Sequence, residues 1–175
     1  MSFLKVSSLA VAATLFAGSA FAADLIVADP VVDMASPKAS EFYVGVLGSA
    51  GSDGNPFGGL GVVIGGDVDL TDVVFLGAEV RGEAYWGNAG YTGSEIAVRA
   101  LLGVHATDSV DLYVAGGVGA FVDNTNVTSN FYEVAVGAEF DVMDNMALRA
   151  EVAANGNWGA GFTSAQANLG LLWKL

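Results

Sequence analysis

From residue 41 to the C-terminus the chain alternates apolar and polar side chains through eight successive segments. The third, residues 73–86 (VVFLGAEVRGEAYW), is the clearest: Val74, Leu76, Ala78, Val80, Ala84 and Trp86 fall on one face, and Glu79, Arg81 and Glu83 on the other. A period of two is the mark of a strand. A helix would set Arg81 on the side opposite Glu79 and Glu83. The same alternation predicts strands over roughly 41–49, 60–70, 94–106, 110–122, 130–141, 146–155 and 164–175. On their polar faces lie Asp67 and Asp69 (second strand), Glu95, Arg99 and His105 (fourth), Glu133, Glu139 and Asp141 (sixth), Arg149 and Glu151 (seventh), and Gln166, Asn168 and Lys174 (eighth).

The connections alternate too. DLTD, ATDSVD and DVMDNM are short; SAGSDGNPFGG, WGNAGYTGS, DNTNVTSN and NGNWGAGFTS are longer and looser. Asp, Asn, Gly and Ser accept the backbone geometries that turns require. Three short inner turns and four outer loops are what an eight-stranded up-and-down antiparallel barrel needs when its termini share the periplasmic rim.

Alternation alone does not say which face looks outward, since a soluble barrel shows the same period with the faces exchanged. Three observations favour lipid outside. The polar face also carries Gly45, Gly65, Gly77, Gly103, Gly117, Gly119, Gly137 and Gly170, small residues that suit the narrow bore of eight strands. On the apolar face the aromatics gather near strand ends, with Phe42, Phe140 and Trp173 toward the inner rim and Trp86 and Tyr132 toward the outer one. These match the interfacial girdles of a transmembrane barrel. Tyr132 and Phe140 share a strand, and at ~3.4 Å per residue and a tilt of roughly 40° they span about 21 Å, near the ~25 Å apolar band. Between the girdles the apolar face holds no charge.

The N-terminus reads as an export signal: Lys5, an apolar run from Leu9 to Ala17, and Ala20-Phe21-Ala22 before the expected cut after Ala22. The organisation is then a signal peptide over 1–22, a periplasmic leader with Pro30 and Pro37 over 23–40, and a barrel over 41–175. Composition adds constraints. The formal net charge is −13, and loss of Lys5 makes the mature chain one unit more negative, which repels nucleic acid. There is no cysteine, so a small exported domain must find stability elsewhere, and a closed sheet with no free edge supplies it.

The segments EFYVGVLGS, FLGAEVRGEAYW, LYVAGGVGAF and FYEVAVGAEFDVMDNMALRAEV, with a final alternating strand ending in LWKL, resemble the small outer-membrane barrels of the porin-like, opacity-protein and outer-membrane-protein-A-like family of Gram-negative bacteria. The resemblance implies a Sec-exported monomer of the cell outer membrane. Its partners would be membrane lipid, lipopolysaccharide and the barrel-insertion machinery. In such families the last strand is a targeting signal that usually ends in Phe; Trp173 fits and Leu175 departs.

Candidate chemistry lies in the lumen. Asp67, Asp69, Glu79, Arg81, Glu83, Glu95, Arg99, Glu133, Glu139, Asp141, Arg149, Glu151 and Lys174 all point inward, and Tyr43, Tyr113 and Phe121 help fill the bore. Charges in so narrow a space must be paired or hydrated. Acids outnumber bases, which suits a narrow, weakly cation-selective pore, whereas three wide guanidinium groups suit a salt-bridged plug and a structural role in the envelope. Arg81 and Arg99 are expected to knit Glu79, Glu83 and Glu95 together across the third and fourth strands. Surface adhesion or recognition through the outer loops is a further alternative. Catalysis, metals and cofactors find no support. His105 is the only histidine and falls near an inner turn, far from the outer leaflet where lipid deacylases of this shape pair His with Ser. Trp158 and Phe162 in the last loop suit interfacial anchoring or a contact site.

Overall fold

The computed structural model describes residues 40–175 apart from 89–91 and 126. The signal peptide and all of the leader except Ser40 lie outside the described residues. Eight strands follow one another: β1 (Ser40–Ser52), β2 (Pro56–Asp69), β3 (Val74–Gly87), β4 (Thr92–Thr107), β5 (Val110–Asp123), β6 (Thr128–Met143), β7 (Met146–Asn157) and β8 (Gly161–Lys174). Each pairs antiparallel with the next, and β8 returns to β1 to close the barrel. The seam runs from Tyr43 opposite Lys174 to Ser52 opposite Ala165, and the Leu175 amide donates to the Phe42 carbonyl at 2.8 Å. Closure leaves no unpaired edge.

The strands run further than the residue pattern predicts, and this corrects the contrast between short turns and long loops. Strand β1 begins one residue inside the expected leader, and SAGSDGNPFGG shrinks to the connection 53–55, because Gly51 pairs with Phe57 and Ala50 with Gly58. The other loop-end connections are 88–91, 124–127 and 158–160, against 70–73, 108–109 and 144–145 at the turn end. Gly, Ser and Asn are poor strand formers in isolation. Here the ladder on each side gives their amides and carbonyls partners, so the strands zip onward. Two of the loop-end reversals, 53–55 and 158–160, use a glycine at positive φ, Gly54 (107°) and Gly159 (91°).

The two faces separate cleanly. Val46, Leu60, Val62, Ile64, Val80, Ile96, Val98, Val114, Val118, Val134, Leu148 and Leu169 are exposed around the outside. Among the described residues the outward strand positions between the rims carry no Asp, Glu, Lys or Arg. The inward face is less uniformly polar than the alternation suggests. It also buries two apolar clusters, Tyr43, Leu47, Val63, Ala147 and Leu172 in one, and Phe75, Leu101, Tyr113, Ala115, Ala135 and Ala153 in the other.

Inward rings sit opposite inward glycines: Tyr43 faces Gly65, Phe75 faces Gly103, and Tyr113 faces Gly137 on neighbouring strands. A Cβ at Gly103 would run into the Phe75 ring and the Leu112 carbonyl. The glycines therefore make room for large partners next door rather than hollowing the bore.

Candidate functional site

Mid-height in the bore lies a dry layer of charge. Arg81 is fully buried at 0% exposure, and Arg99, Arg149, Glu79 and Glu133 are each at 2%. Inward strand residues lie two apart, so Glu79, Arg81 and Glu83 form a ladder on β3 facing Arg99 and Glu95 on β4. The register sets Glu79 opposite Arg99, and it also sets Glu83 opposite Glu95. Like charges opposed across a ladder destabilise it. Arg81 resolves the conflict by meeting Glu83 through Nε at 3.3 Å and Glu95 through Nη2 at 3.2 Å.

The network then crosses the bore. Arg81 also reaches Glu133 at 2.5 Å and Glu151 at 3.3 Å. Arg99 pairs with Glu79, with Glu133 at 2.7 Å and with Glu151 at 2.6 Å. Arg149 joins Glu79 and Glu139, each at 2.7 Å, and its guanidinium lies 5.1 Å from the Tyr43 ring centre and 5.3 Å from that of Tyr113. The Tyr43 hydroxyl donates to Glu79 and the Tyr113 hydroxyl to Glu151, both at 2.8 Å, and the Asn168 amide donates to Glu151 at 2.9 Å. Guanidinium forks suit carboxylates because several N–H groups bond at once.

The remaining lumen charges sit apart from this layer, at the turn-end mouth. Lys174 meets Asp141 at 2.8 Å and Glu41 at 3.3 Å. His105 is held between Asp111 (Nδ1, 2.7 Å) and Asp69 (Nε2, 3.0 Å), and its ring lies 5.2 Å from that of Phe75. With both ring nitrogens facing carboxylates, only the imidazolium has a proton for each. Asp67 is half-buried close by.

Of the rim aromatics, Phe42, Trp86 and Phe140 are exposed, while Trp173 and Tyr132 are half-covered. Tyr132 packs against Trp158 and Phe162, with ring centres 5.1 and 5.5 Å away, forming an aromatic cluster on the outside at the loop end. At the loop end of β5, Asp123 accepts from the Thr125 hydroxyl at 2.7 Å, the Thr125 amide at 2.8 Å and the Val127 amide at 3.0 Å. These bonds, the Thr125 hydroxyl foremost, hold its carboxyl below the ordinary range.

Glu133 and Glu151 face the lumen as the residue pattern predicts, but their pairing with Arg81 escapes it, as do some other lumen residues. They reach Arg81 from strands far along the chain, which a reading confined to one hairpin does not see. Tyr85, Phe57 and Phe131 close the loop end of the bore, although they resemble any other strand aromatic; the usable signal was their even spacing from the lumen acids. Among the described residues no group of three or more His, Cys, Asp and Glu is arranged to hold a metal ion.

No protein-family model matches the chain, and no curated protein matches it. Solved structures do. Neisserial surface protein A superposes with a TM-score of 0.54 at 14% identity, over 80% of this chain and 99% of that one. Ail, the attachment invasion locus protein of Yersinia pestis, gives 0.54 at 11%, over 78% and 97%. The outer membrane enzyme PagL gives 0.51 at 18%, over 76% and 98%. At such identities the likeness establishes the barrel fold alone. One of the three is an outer membrane enzyme and another an attachment invasion locus protein, so the shared fold carries no activity with it.

Proposed function

We propose that this chain is an integral outer-membrane barrel whose lumen is plugged by its own salt bridges and whose role is structural, contributing to envelope integrity. The observation that carries this is the dry arginine layer inside an uncharged, apolar exterior. A backbone in lipid must satisfy its own hydrogen bonds, and a closed barrel does so. The exposed aliphatic belt suits acyl chains, with the rim aromatics at the two interfaces. On this reading the export signal delivers the chain through the Sec pathway of a Gram-negative bacterium, and the insertion machinery receives it. Lipid and lipopolysaccharide then surround it. The Tyr132, Trp158 and Phe162 cluster anchors the outer interface. Short loop-end connections argue against a broad adhesive surface, and His105, with both nitrogens engaged by aspartates at the turn end, is poorly placed as a general base.

A weakly cation-selective pore is the competing reading, favoured by the excess of lumen carboxylates over guanidinium groups. Conductance of the purified protein across a planar bilayer separates the two. The plugged barrel gives a flat baseline; steady, reproducible openings would replace the structural reading with the pore.

A further inference from the structure

A chamber of about 320 Å³ opens at the loop end of the barrel, beyond the arginine layer. Rings from four strands wall it: Phe57, Tyr85, Phe121 and Phe131. Phe57 meets Tyr85 edge-on with centres 5.3 Å apart, and Tyr85 lies 6.3 Å from Phe121. The other eight lining residues are polar, and of these Glu95, Asn155 and Gln166 are buried. Gln166 is 3% exposed and Asn155 9%, yet Gln166 Nε2 and Asn155 Oδ1 have no hydrogen-bond partner among the described residues. Buried polar atoms are normally satisfied, and exceptions at a cavity wall mark a place where something else can bond.

Charge at the chamber floor is also unbalanced. Glu83 and Glu95 oppose one another across the ladder and share a single guanidinium, that of Arg81, which also serves Glu133 and Glu151. Ring faces attract cations through their quadrupole, and the surplus carboxylate attracts the same sign. A hard metal ion requires a shell of oxygen ligands, and among the described residues no three His, Cys, Asp or Glu side chains are grouped to hold one; it would also leave the four rings unused. An anion would face the carboxylates. A pocket of this size that sets an aromatic cluster beside convergent polar groups has the form of a small-molecule site.

We propose that this chamber binds a small organic ammonium ion. Its N–H groups would bond to Glu95 and to Asn155 Oδ1, its apolar body would lie among the four rings, and the Gln166 amide would be free to donate to an oxygen on that body. The inference goes beyond the structural role and does not depend on whether the lumen conducts.

The test is an NMR titration of the protein folded in detergent micelles, reading the side-chain amides of Asn155 and Gln166. Butylammonium is compared with 1-butanol and butyrate, which keep the chain and change the charge. Butylammonium is expected to saturate these resonances, 1-butanol to bind at least about tenfold more weakly, and butyrate not to bind. Glu95→Gln should weaken butylammonium about tenfold, and Phe121→Leu about threefold. If Glu95→Gln fails to fold, Phe121→Leu and the charge series still decide. Equal binding of 1-butanol would reduce the chamber to an apolar hollow. Calcium chloride shifting the same amides when butylammonium does not would replace the organic cation with a metal. Either result, or no saturation, overturns the proposal.

Discussion

Arg81 and Val80 are adjacent in sequence and occupy opposite environments. Arg81 is fully enclosed and serves four carboxylates, whereas Val80 is 46% exposed on the outer belt. Replacing Arg81 by Ala leaves Glu83 and Glu95 opposed without their shared cation in a dry layer. Removing one partner of a buried ion pair costs about 3–5 kcal/mol because the other charge is stranded. Val80→Ala removes only a contact with lipid and should be close to neutral. Val80→Arg places a charge near mid-membrane at about 2–4 kcal/mol and should impair insertion. Urea unfolding midpoints in lipid or detergent measure all three. A parent-like Arg81→Ala together with normal insertion of Val80→Arg would mean the faces are reversed. At this scale the sequence discloses a residue's side but not its partner. The spacing of Glu79, Arg81 and Glu83 shows that they share a face. That Arg81 meets Glu133 and Glu151 follows from the curvature that brings β6 and β7 across the bore, which no local pattern encodes.

Between neighbouring strands the recurring device is a large inward side chain set against an inward glycine. Phe75 lies opposite Gly103 and Tyr113 opposite Gly137, and Arg99 lies opposite Gly117. A methyl at position 103 meets the Phe75 ring and a backbone carbonyl, and neither can retreat without moving a strand. Overpacking of this kind costs about 1–3 kcal/mol. Gly103→Ala is therefore expected to lower the urea midpoint, while Gly82→Ala and Gly116→Ala, where the added carbon meets only a carbonyl oxygen at 3.9 Å, should leave it unchanged. Equal midpoints for all three would show that the inward glycines do not accommodate their neighbours' rings. The strands themselves were legible because a one-residue slip exchanges the faces, so the pattern and the register fix each other. The loop-end connections were not. SAGSDGNPFGG has the composition of a loop, and it pairs as strand because partners stand on both sides. The inward apolar residues Leu47, Val63, Leu101 and Leu172 were obscured by the same alternation, which distinguishes the two faces of a strand but not dry from wet positions within a lumen.

Taken whole, the molecule inverts the usual arrangement of a water-soluble domain: between the rims its charge is enclosed and its aliphatic side chains face out. Ile64 and Leu169 are 64% and 71% exposed, and they belong to a belt that circles the barrel rather than to isolated surface positions. Soluble monomers rarely carry apolar patches beyond a few hundred Å². Transfer to water would hydrate the whole belt, at roughly 25 cal/mol for each Å² of apolar surface. The barrel cannot escape by turning inside out, because the lumen is too narrow for the belt and already filled by guanidinium groups and rings. Nor does the sheet offer an edge for strand-to-strand association, since β1 and β8 complete each other. Lateral contact between belts would bury no more than lipid does and would gain little once acyl chains are present. The expected state is therefore a monomer that stays in solution only with detergent or lipid. Sedimentation in density-matched detergent should report the mass of one chain, and removal of the detergent should precipitate it. A monodisperse monomer in plain buffer would show that the belt is tolerated by water, and the membrane reading would then give way to that of a soluble barrel.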